Sequence, residues 1–199
     1  MDIDPILQAA HQDTLRTLLT ALDMHVPGEG GHAERVAVYS VATGDKLGLS
    51  DVDLTHLRRA AALHDIGKIA ISKGLLGKLG TLSEEEFVEI KRHVRTAEEV
   101  LGNLPWMEPC IPMIRYHHER WDGLGYPDGL KGADIPIGAR IIGVCETYDI
   151  LSTGADYRDA MDEYAALDEI RRCAGTQFDP EVVEAFIAAQ RIVQPAVLN

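Results

Sequence analysis

Two side chains that bind metal ions, His64 and Asp65, stand next to each other, and a glycine and Lys68 follow closely behind them. Neighbouring residues on a helix point about 100° apart, so both cannot easily chelate one ion, whereas Asp65 could bridge two ions while His64 binds one. Adjacency therefore favours a two-metal centre. If the helix continues, Lys68 shares a face with Asp65 and could neutralise a phosphate oxygen, which makes Asp65 and Lys68 the candidate catalytic residues.

A second adjacent pair, His117 and His118, repeats this arrangement at the end of another predicted helix and could supply one imidazole to each ion. His32, His93 and one further carboxylate would complete the set. Because imidazoles dominate, the set suits a divalent transition metal such as Fe, Mn or Zn rather than Mg or Ca. Two such ions about 3.5–4 Å apart would activate a water molecule and hold a phosphoryl group for in-line displacement.

The composition is that of an ordinary soluble globular protein, with 46% hydrophobic and 26% charged residues in a chain of 199. A formal charge of -13 and the lack of any Lys/Arg block argue against binding a nucleic acid polymer. The cysteines are far apart in the sequence, without a CxxC motif, so we predict neither a disulfide framework nor a thiolate zinc site. No signal-like segment or long apolar run appears, and we therefore predict a cytoplasmic protein that does not enter a membrane.

The periodicity of the apolar residues predicts an all-α fold. A helix is predicted from Ile6 to about Met24, the Pro- and Gly-rich residues 26–31 break it, and His32 opens the next helix. We therefore divide the chain into an N-terminal amphipathic helix with its linker, residues 1–27, and a main domain, residues 28–199. The N-terminal helix could be a dimerisation element, which would make the protein a homodimer, or the remnant of a linker.

Further helix starts are predicted where a serine or aspartate can accept a hydrogen bond from the first turn. Ser50 begins the helix that leads to His64, and Ser83 begins the helix that carries His93. Two more helices are predicted for residues 137–151 and 157–173, and a last one after Asp179. Residues 121–136 contain four glycines and two prolines, which predicts a long structured loop.

These motifs resemble the HD-GYP branch of the HD-domain metal-dependent phosphohydrolases. The resemblance covers roughly residues 30 to 190 and is most specific from His117 to Pro127, which reads HHERWDGLGYP. It implies a helical bundle with a long GYP loop and a metal centre that hydrolyses cyclic di-GMP to pGpG and often onward to GMP. The implied metal ligands, with Asp65 as the bridge, are His32, His64, Asp65, His93, His117, His118 and Glu146.

The same resemblance implies contacts to substrate and to a partner. Lys68 matches the lysine that contacts the phosphate, and Tyr126 lies in the loop that borders the pocket and mediates binding to diguanylate cyclases. Arg120 and Arg158 either bind phosphate or pair with the acidic surface of this chain. Trp121 either stacks on a guanine or anchors the loop to the core.

Three of the departures from the family pattern bear directly on the metal ligands and the substrate contacts. Glu146 stands where aspartate is usual, so its ligand geometry changes by one methylene. Gly28 stands where some members have a glutamate for a third metal, with Glu29 out of register, so we expect two metals. Ala155 stands where the family usually has an arginine that contacts the dinucleotide. Without the guanidinium group, a charge-assisted contact of about 1.5–3 kcal/mol is lost.

Three functions follow as alternatives. The first is a cyclic di-GMP phosphodiesterase that uses a water molecule activated by two metals. The second, suggested by Ala155, is a phosphohydrolase for another nucleotide or cyclic dinucleotide. The third is a signalling or interaction module that keeps its metal but turns over weakly or not at all, with the GYP loop as its docking surface.

Overall fold

The computed structural model describes residues 5–154 and 159–193, with side chains described through residue 190. No strand forms within these ranges, and the one isolated bridge pairs Ala174 with Phe178. The predicted all-α class is confirmed. The α-helices are α1 Pro5–His25, α2 Glu29–Lys46, α3 Asp51–Leu63, α4 Lys73–Leu76, α5 Glu84–Lys91, α6 His93–Leu101, α7 Ile111–Arg115, α8 Ile137–Thr153, α9 Glu163–Arg172 and α10 Pro180–Val193. Short 3₁₀ turns span Ile66–Ala70, Pro105–Cys110 and Gly132–Asp134.

Helix α8 is the most deeply buried element that carries a candidate ligand. Ile141, Ile142, Val144 and Cys145 are all 0% exposed, and α2, α7, α9 and α10 pack around this helix. Burial of these side chains supplies the hydrophobic stabilisation that holds the surrounding helices in place. Glu146 therefore projects from a rigid support.

The capping predictions at two helix starts agree with the structure. Ser50 accepts a hydrogen bond from the backbone N–H of Asp53 at the start of α3, and Ser83 and Glu86 form a complete capping box at the start of α5. Such caps satisfy backbone N–H groups that have no partner inside the helix. They define where the helices leading to His64 and His93 begin.

The start of α2 differs from the prediction. The helix begins at Glu29, not at His32, because Oδ1 of Asp23 accepts hydrogen bonds from the N–H groups of Gly28 and Gly30 at 3.0 and 2.9 Å. Gly28, with φ of 98°, makes the turn between α1 and α2. Gly28 therefore separates the two helices, whereas Gly30 and Gly31 are part of the first turn of α2.

Two other helices are shorter than predicted. The helix after Ser83 is interrupted at Arg92, so His93 begins α6 instead of lying inside one continuous helix. Helix α9 begins at Glu163, where Asp162 caps it, rather than at Tyr157, which lies outside the described residues. The interruption before His93 places this ring at a helix start.

Helix α1 contributes directly to the core. Leu15 and Leu22 are 7% and 1% exposed and belong to the same cluster of buried side chains as Leu57 of α3. The division of the chain after residue 27 stays a prediction. Among the described helices, none combines the length and the apolar character needed to span a lipid bilayer.

Candidate metal centre

A glycine brings the two central segments of the site together. His64 and Asp65 follow the end of α3, and Gly67 in the next 3₁₀ turn packs against the backbone of α6, where a Cβ atom would collide with the carbonyl oxygen of His93. Only glycine permits this close approach. Asp65 and His93 consequently face each other, with Oδ1 of Asp65 at 3.3 Å from Nε2 of His93.

The predicted ligands converge on two groups that share Asp65. In each group every residue offers one ligand atom, and these atoms all lie within 4.8 Å of one another. The first group contains His32, His64, Asp65 and Glu146. The second contains Asp65, His93, His117 and His118.

The free ring nitrogens fit the requirements of a metal site. Nδ1 of His64, His93 and His117 each lies 2.6–2.8 Å from a backbone carbonyl oxygen three residues earlier, so Nδ1 carries the proton and donates. The opposite atom, Nε2, is buried in all three rings and has no hydrogen-bond partner among the described residues. In the neutral form of each ring, the lone pair of Nε2 is therefore free to bind a cation.

Asp65 completes this fit. Its carboxylate is 2% exposed, and neither oxygen accepts a hydrogen bond of acceptable geometry from the described residues. Leaving such buried polar atoms without partners costs about 1–3 kcal/mol each, and more for a charged group. A pair of cations bound by Asp65 and the neighbouring Nε2 atoms would satisfy all of them.

His117 and His118 differ from the prediction in one respect. The sequence suggested one imidazole for each ion, but both rings fall in the second group, with centroids 4.0 Å apart. The chain turns directly after α7, so the two side chains project toward the same space. Glu146 reaches the same space from α8. Its Oε2 atom lies 4.0 Å from Nε2 of His117 and 4.0 Å from Nδ1 of His118.

Burial keeps most of these rings in the neutral form that binds metals. Burial and neighbouring histidines hold the pKa values of His117 and His118 well below the ordinary value, and burial lowers the pKa of His93. Burial also disfavours protonation of His64, but Asp65 outweighs it and raises the pKa of His64 to about 9. Metal binding at His64 must therefore release a proton near neutral pH.

Lys68 lies next to Asp65, although α3 ends at Leu63, before both residues. The 3₁₀ turn places its Nζ atom 2.7 Å from Oδ2 of Asp65 and 2.7 Å from Oε1 of Glu29. Burial opposes the charge on Lys68, but these two carboxylates raise its pKa. Burial likewise opposes ionisation of Asp65, and Lys68 holds the pKa of that carboxyl well below its ordinary value. Glu29, which sequence reasoning set aside, is therefore part of the site.

Asp149 is a further residue that sequence reasoning did not assign. It is 0% exposed, and its Oδ2 accepts a hydrogen bond from Nδ1 of His32 at 2.7 Å. Arg35 donates to both oxygens of Asp149 at 2.6 and 2.9 Å. A carboxylate in this position orients the imidazole of His32 and directs its other nitrogen toward the metal centre.

Cavities open on both sides of the centre. One, of about 270 Å³, is lined by His117, His118, Glu146, Arg120 and Tyr126. The other, of about 330 Å³, lies beside Glu29, His32 and Lys68. Each cavity is thus lined by at least one of the candidate ligands.

The predicted substrate contacts other than Lys68 line the first cavity or lie outside the described residues. Tyr126 stacks on His118 with centroids 4.8 Å apart, and burial raises the pKa of its hydroxyl. Arg120 lines the cavity but pairs with Asp122 at 2.7 Å. Trp121 also lines the cavity, and its backbone N–H bonds to Gln177 at 3.0 Å. Arg158 and Ala155 lie outside the described residues.

Glu119 holds the long loop in place, which the sequence did not reveal. It is 8% exposed, and its Oε1 accepts hydrogen bonds from the N–H groups of Asp128 and Gly129 at 2.7 and 2.9 Å. A buried carboxylate bonded to two backbone groups ties the far part of the loop to the residues next to His118. Tyr126 is therefore fixed over the cavity.

Two characterised proteins that are similar to this chain in sequence are both named as phosphodiesterases of cyclic dinucleotides. A 3'3'-cGAMP-specific phosphodiesterase 3 from Vibrio cholerae is 38% identical over 172 residues, which cover 86% of this chain and 37% of that protein. A cyclic di-GMP phosphodiesterase from Thermotoga maritima is 38% identical over 162 residues, covering 80% of this chain and 44% of that protein. The chain thus spans less than half the length of these relatives.

Solved structures share the fold. A cyclic GMP-AMP specific phosphodiesterase of V. cholerae superposes with a TM-score of 0.68 at 23% identity and covers 92% of this chain and 49% of that one. The HD domain of the phosphodiesterase PgpH of L. monocytogenes, in complex with cyclic di-AMP, gives 0.61 at 21% identity, covering 89% of this chain and 97% of that one.

The match to a family model covers most of the chain. The model described as HD domain matches residues 16–182, from the middle of α1 into α10. The chain therefore belongs to the HD domain family, the family whose HD-GYP branch its sequence motifs resemble.

Proposed function

We propose that the chain is a metal-dependent phosphodiesterase that hydrolyses cyclic di-GMP to pGpG, and pGpG further to GMP. The observation that carries this proposal is the pair of ligand groups sharing Asp65, with unpartnered Nε2 atoms facing it. The names of relatives at 36–38% identity, which describe cyclic di-GMP and 3'3'-cGAMP phosphodiesterases, support the substrate class.

The residues of the two groups would hold two divalent ions, Fe or Mn in preference to Zn. Imidazoles outnumber carboxylates among them, which favours transition metals over Mg or Ca. When bound, such an ion pair activates water for in-line attack and stabilises charge on the phosphoryl oxygens. Asp65, which both groups share, would help to hold both ions, and Asp149 orients His32 through Nδ1.

Lys68 would contact the phosphate. Its ammonium group has three N–H donors: one is donated to Oε1 of Glu29, and a second lies on the side of the ion pair with Asp65. The third donor is available for a phosphoryl oxygen next to the bridge. Tyr126 and Arg120 would line the path of the nucleotide in the first cavity, and Arg158 remains a proposed contact outside the described residues.

A second candidate substrate is 3'3'-cGAMP. The 38% identity to a 3'3'-cGAMP-specific phosphodiesterase favours it, and so does Ala155 in place of an arginine expected to contact the dinucleotide. A base-specific contact elsewhere would then decide between guanine and adenine. The two substrates can be separated only by direct comparison of their turnover.

The loop around Tyr126 would also bind a protein partner. Leu124, beside this residue, is 78% exposed, so its apolar side chain is available for contact with a partner. A diguanylate cyclase domain is the partner that the family resemblance implies at this loop, whereas a homodimer would form through the N-terminal helix. Leu124→Asp should abolish co-elution with a diguanylate cyclase domain and leave the metal content unchanged, because Leu124 belongs to neither ligand group.

Metal analysis and a nucleotide panel test the proposed function together. Anaerobically purified protein loaded with Mn or Fe is incubated with cyclic di-GMP, 3'3'-cGAMP and cyclic di-AMP, and the products are separated by chromatography. Linear products are expected from cyclic di-GMP or from 3'3'-cGAMP. His64→Ala and Asp65→Ala should abolish them, whereas the control His56→Ala, outside both ligand groups, should not. Turnover that survives both ligand changes contradicts the proposal, and binding without product identifies an interaction module.

A further inference from the structure

A separate cavity of about 510 Å³ lies between α1, α2 and α3 and shares no lining residue with the two cavities at the metal centre. Apolar side chains such as Leu15 and Val38 form part of its wall. Its volume is within the range of pockets that bind small molecules. The polar residues that line it are Gln12, Arg16, Glu34, Thr55, Arg58 and Arg59.

Arg59 is the unusual member of this cavity. It is only 8% exposed, yet none of the described carboxylates forms an ion pair with it, and its buried Nε atom has no hydrogen-bond partner among the described residues. Its guanidinium lies 5.3 Å from the centre of the Trp106 ring, on which His11 also stacks. A buried N–H donor without an acceptor costs about 1–3 kcal/mol, and an anion that accepts from Nε would remove this cost.

The charges of the neighbouring residues favour an anion. Arg58, exposed at the same cavity, forms no ion pair with the described residues, whereas Arg16 is paired with Asp13 at 2.7 Å. Glu34 is the one carboxylate among the described lining residues, so the cavity is locally positive in a chain of net charge -13. Two guanidinium groups match a doubly charged phosphate better than a single carboxylate.

We propose that this cavity binds a small phosphorylated molecule with an apolar or aromatic body. Arg59 and Arg58 hold the phosphate, and the apolar wall that includes Leu15 and Val38 contacts the rest of the ligand. Trp106 keeps the guanidinium of Arg59 in position through the ring contact. The site is independent of the metal centre and does not depend on the proposed catalytic activity.

Titration of metal-free full-length chain tests this proposal. GMP combines a phosphate with an aromatic base, guanosine lacks the phosphate, and inorganic phosphate lacks the base. Calorimetry in the presence of EDTA should show one GMP bound per chain, weaker binding of inorganic phosphate and no binding of guanosine. In a Trp121→Phe background, where Trp106 is the remaining tryptophan, the same titration should change its fluorescence.

Variants separate this cavity from the metal centre. Arg58→Met and Arg59→Met should each weaken GMP binding about tenfold, because each removes a charge-assisted contact. Arg171→Met, which removes an exposed arginine paired with Asp168, should leave it unchanged. Arg58 is exposed, so its replacement tests binding even if Arg59→Met fails to fold. Absence of GMP binding, or binding that neither Arg58→Met nor Arg59→Met weakens, overturns the proposal.

Discussion

Asp149→Asn is expected to weaken metal binding at one half of the centre only. Asparagine keeps the size of the side chain but replaces an ionised acceptor of three hydrogen bonds, one from His32 and two from Arg35. Loss of a carboxylate that orients a metal-binding histidine typically reduces metal affinity about 10–100-fold, or about 1.4–2.7 kcal/mol. The group containing His32 should therefore lose its ion first, while the group containing His93 retains its own.

The same change should also lower the free energy of unfolding of the metal-free chain. Asp149 is fully buried, and each hydrogen bond to a charged group contributes about 1.5–3 kcal/mol. The side chain of Arg35 is 43% exposed and can be rehydrated, which reduces the net loss to about 1–3 kcal/mol. Denaturant unfolding in EDTA measures this loss, and competition with a chromophoric chelator measures metal affinity and stoichiometry.

Asp179→Asn is the matched control. Asp179 is also a buried carboxylate, 4% exposed, and pairs with Arg140 at 2.6 Å, but it belongs to neither ligand group. It should lose stability to a similar extent and retain two ions per chain with unchanged affinity. If the two variants bind metal equally well, or if Asp149→Asn weakens both ions to the same extent, the assigned role of Asp149 is refuted.

Two further changes act on the neighbourhood of the bridge. Gly67→Ala should lower the free energy of unfolding by more than about 3 kcal/mol and release the metal, because the new Cβ atom would collide with the backbone of His93. Denaturant unfolding measures this loss. The control is Gly74→Ala, which has open space around it and should change the free energy of unfolding by less than about 0.5 kcal/mol in the same assay. Lys68→Met should lower kcat about 100-fold. Elemental analysis should still find two ions per chain, because Lys68 contacts Asp65 but belongs to neither ligand group. A loss of metal in this variant would show that Lys68 has a structural role instead.

The convergence of the candidate metal ligands could be predicted from the sequence because it depends on residue types. Adjacent metal-binding side chains at residues 64–65 and 117–118 suggested a shared centre, and the structure brings both pairs into contact, with the rings of His64 and His117 centred 5.0 Å apart. Helix starts at Ser50 and Ser83 could be predicted for a similar reason, since capping depends on residues a few positions apart. Local chemistry therefore predicted that these two pairs meet, whereas Glu146 was assigned only by the family resemblance.

The supporting contacts could not be predicted because they join distant segments. Asp149 lies 117 residues from His32, and Glu29 lies 39 residues from Lys68, so no local pattern links them. The start of α2 was misjudged because Asp23, at the end of the preceding helix, satisfies the N–H groups of two glycines there. In each case a tertiary hydrogen bond outweighed the local propensity.

Charge explains how an acidic protein could accept an anionic substrate. Around the centre, Lys68 offsets Glu29 and Arg35 offsets Asp149, so the carboxylates of Asp65 and Glu146 remain as the uncompensated charges. Two divalent ions would convert this local charge to about +2, which matches the two phosphates of a cyclic dinucleotide. Without the ions, a chain of net charge -13 repels such a ligand. Dinucleotide binding to the centre should therefore require metal, whereas binding of GMP at the Arg59 cavity should persist in EDTA.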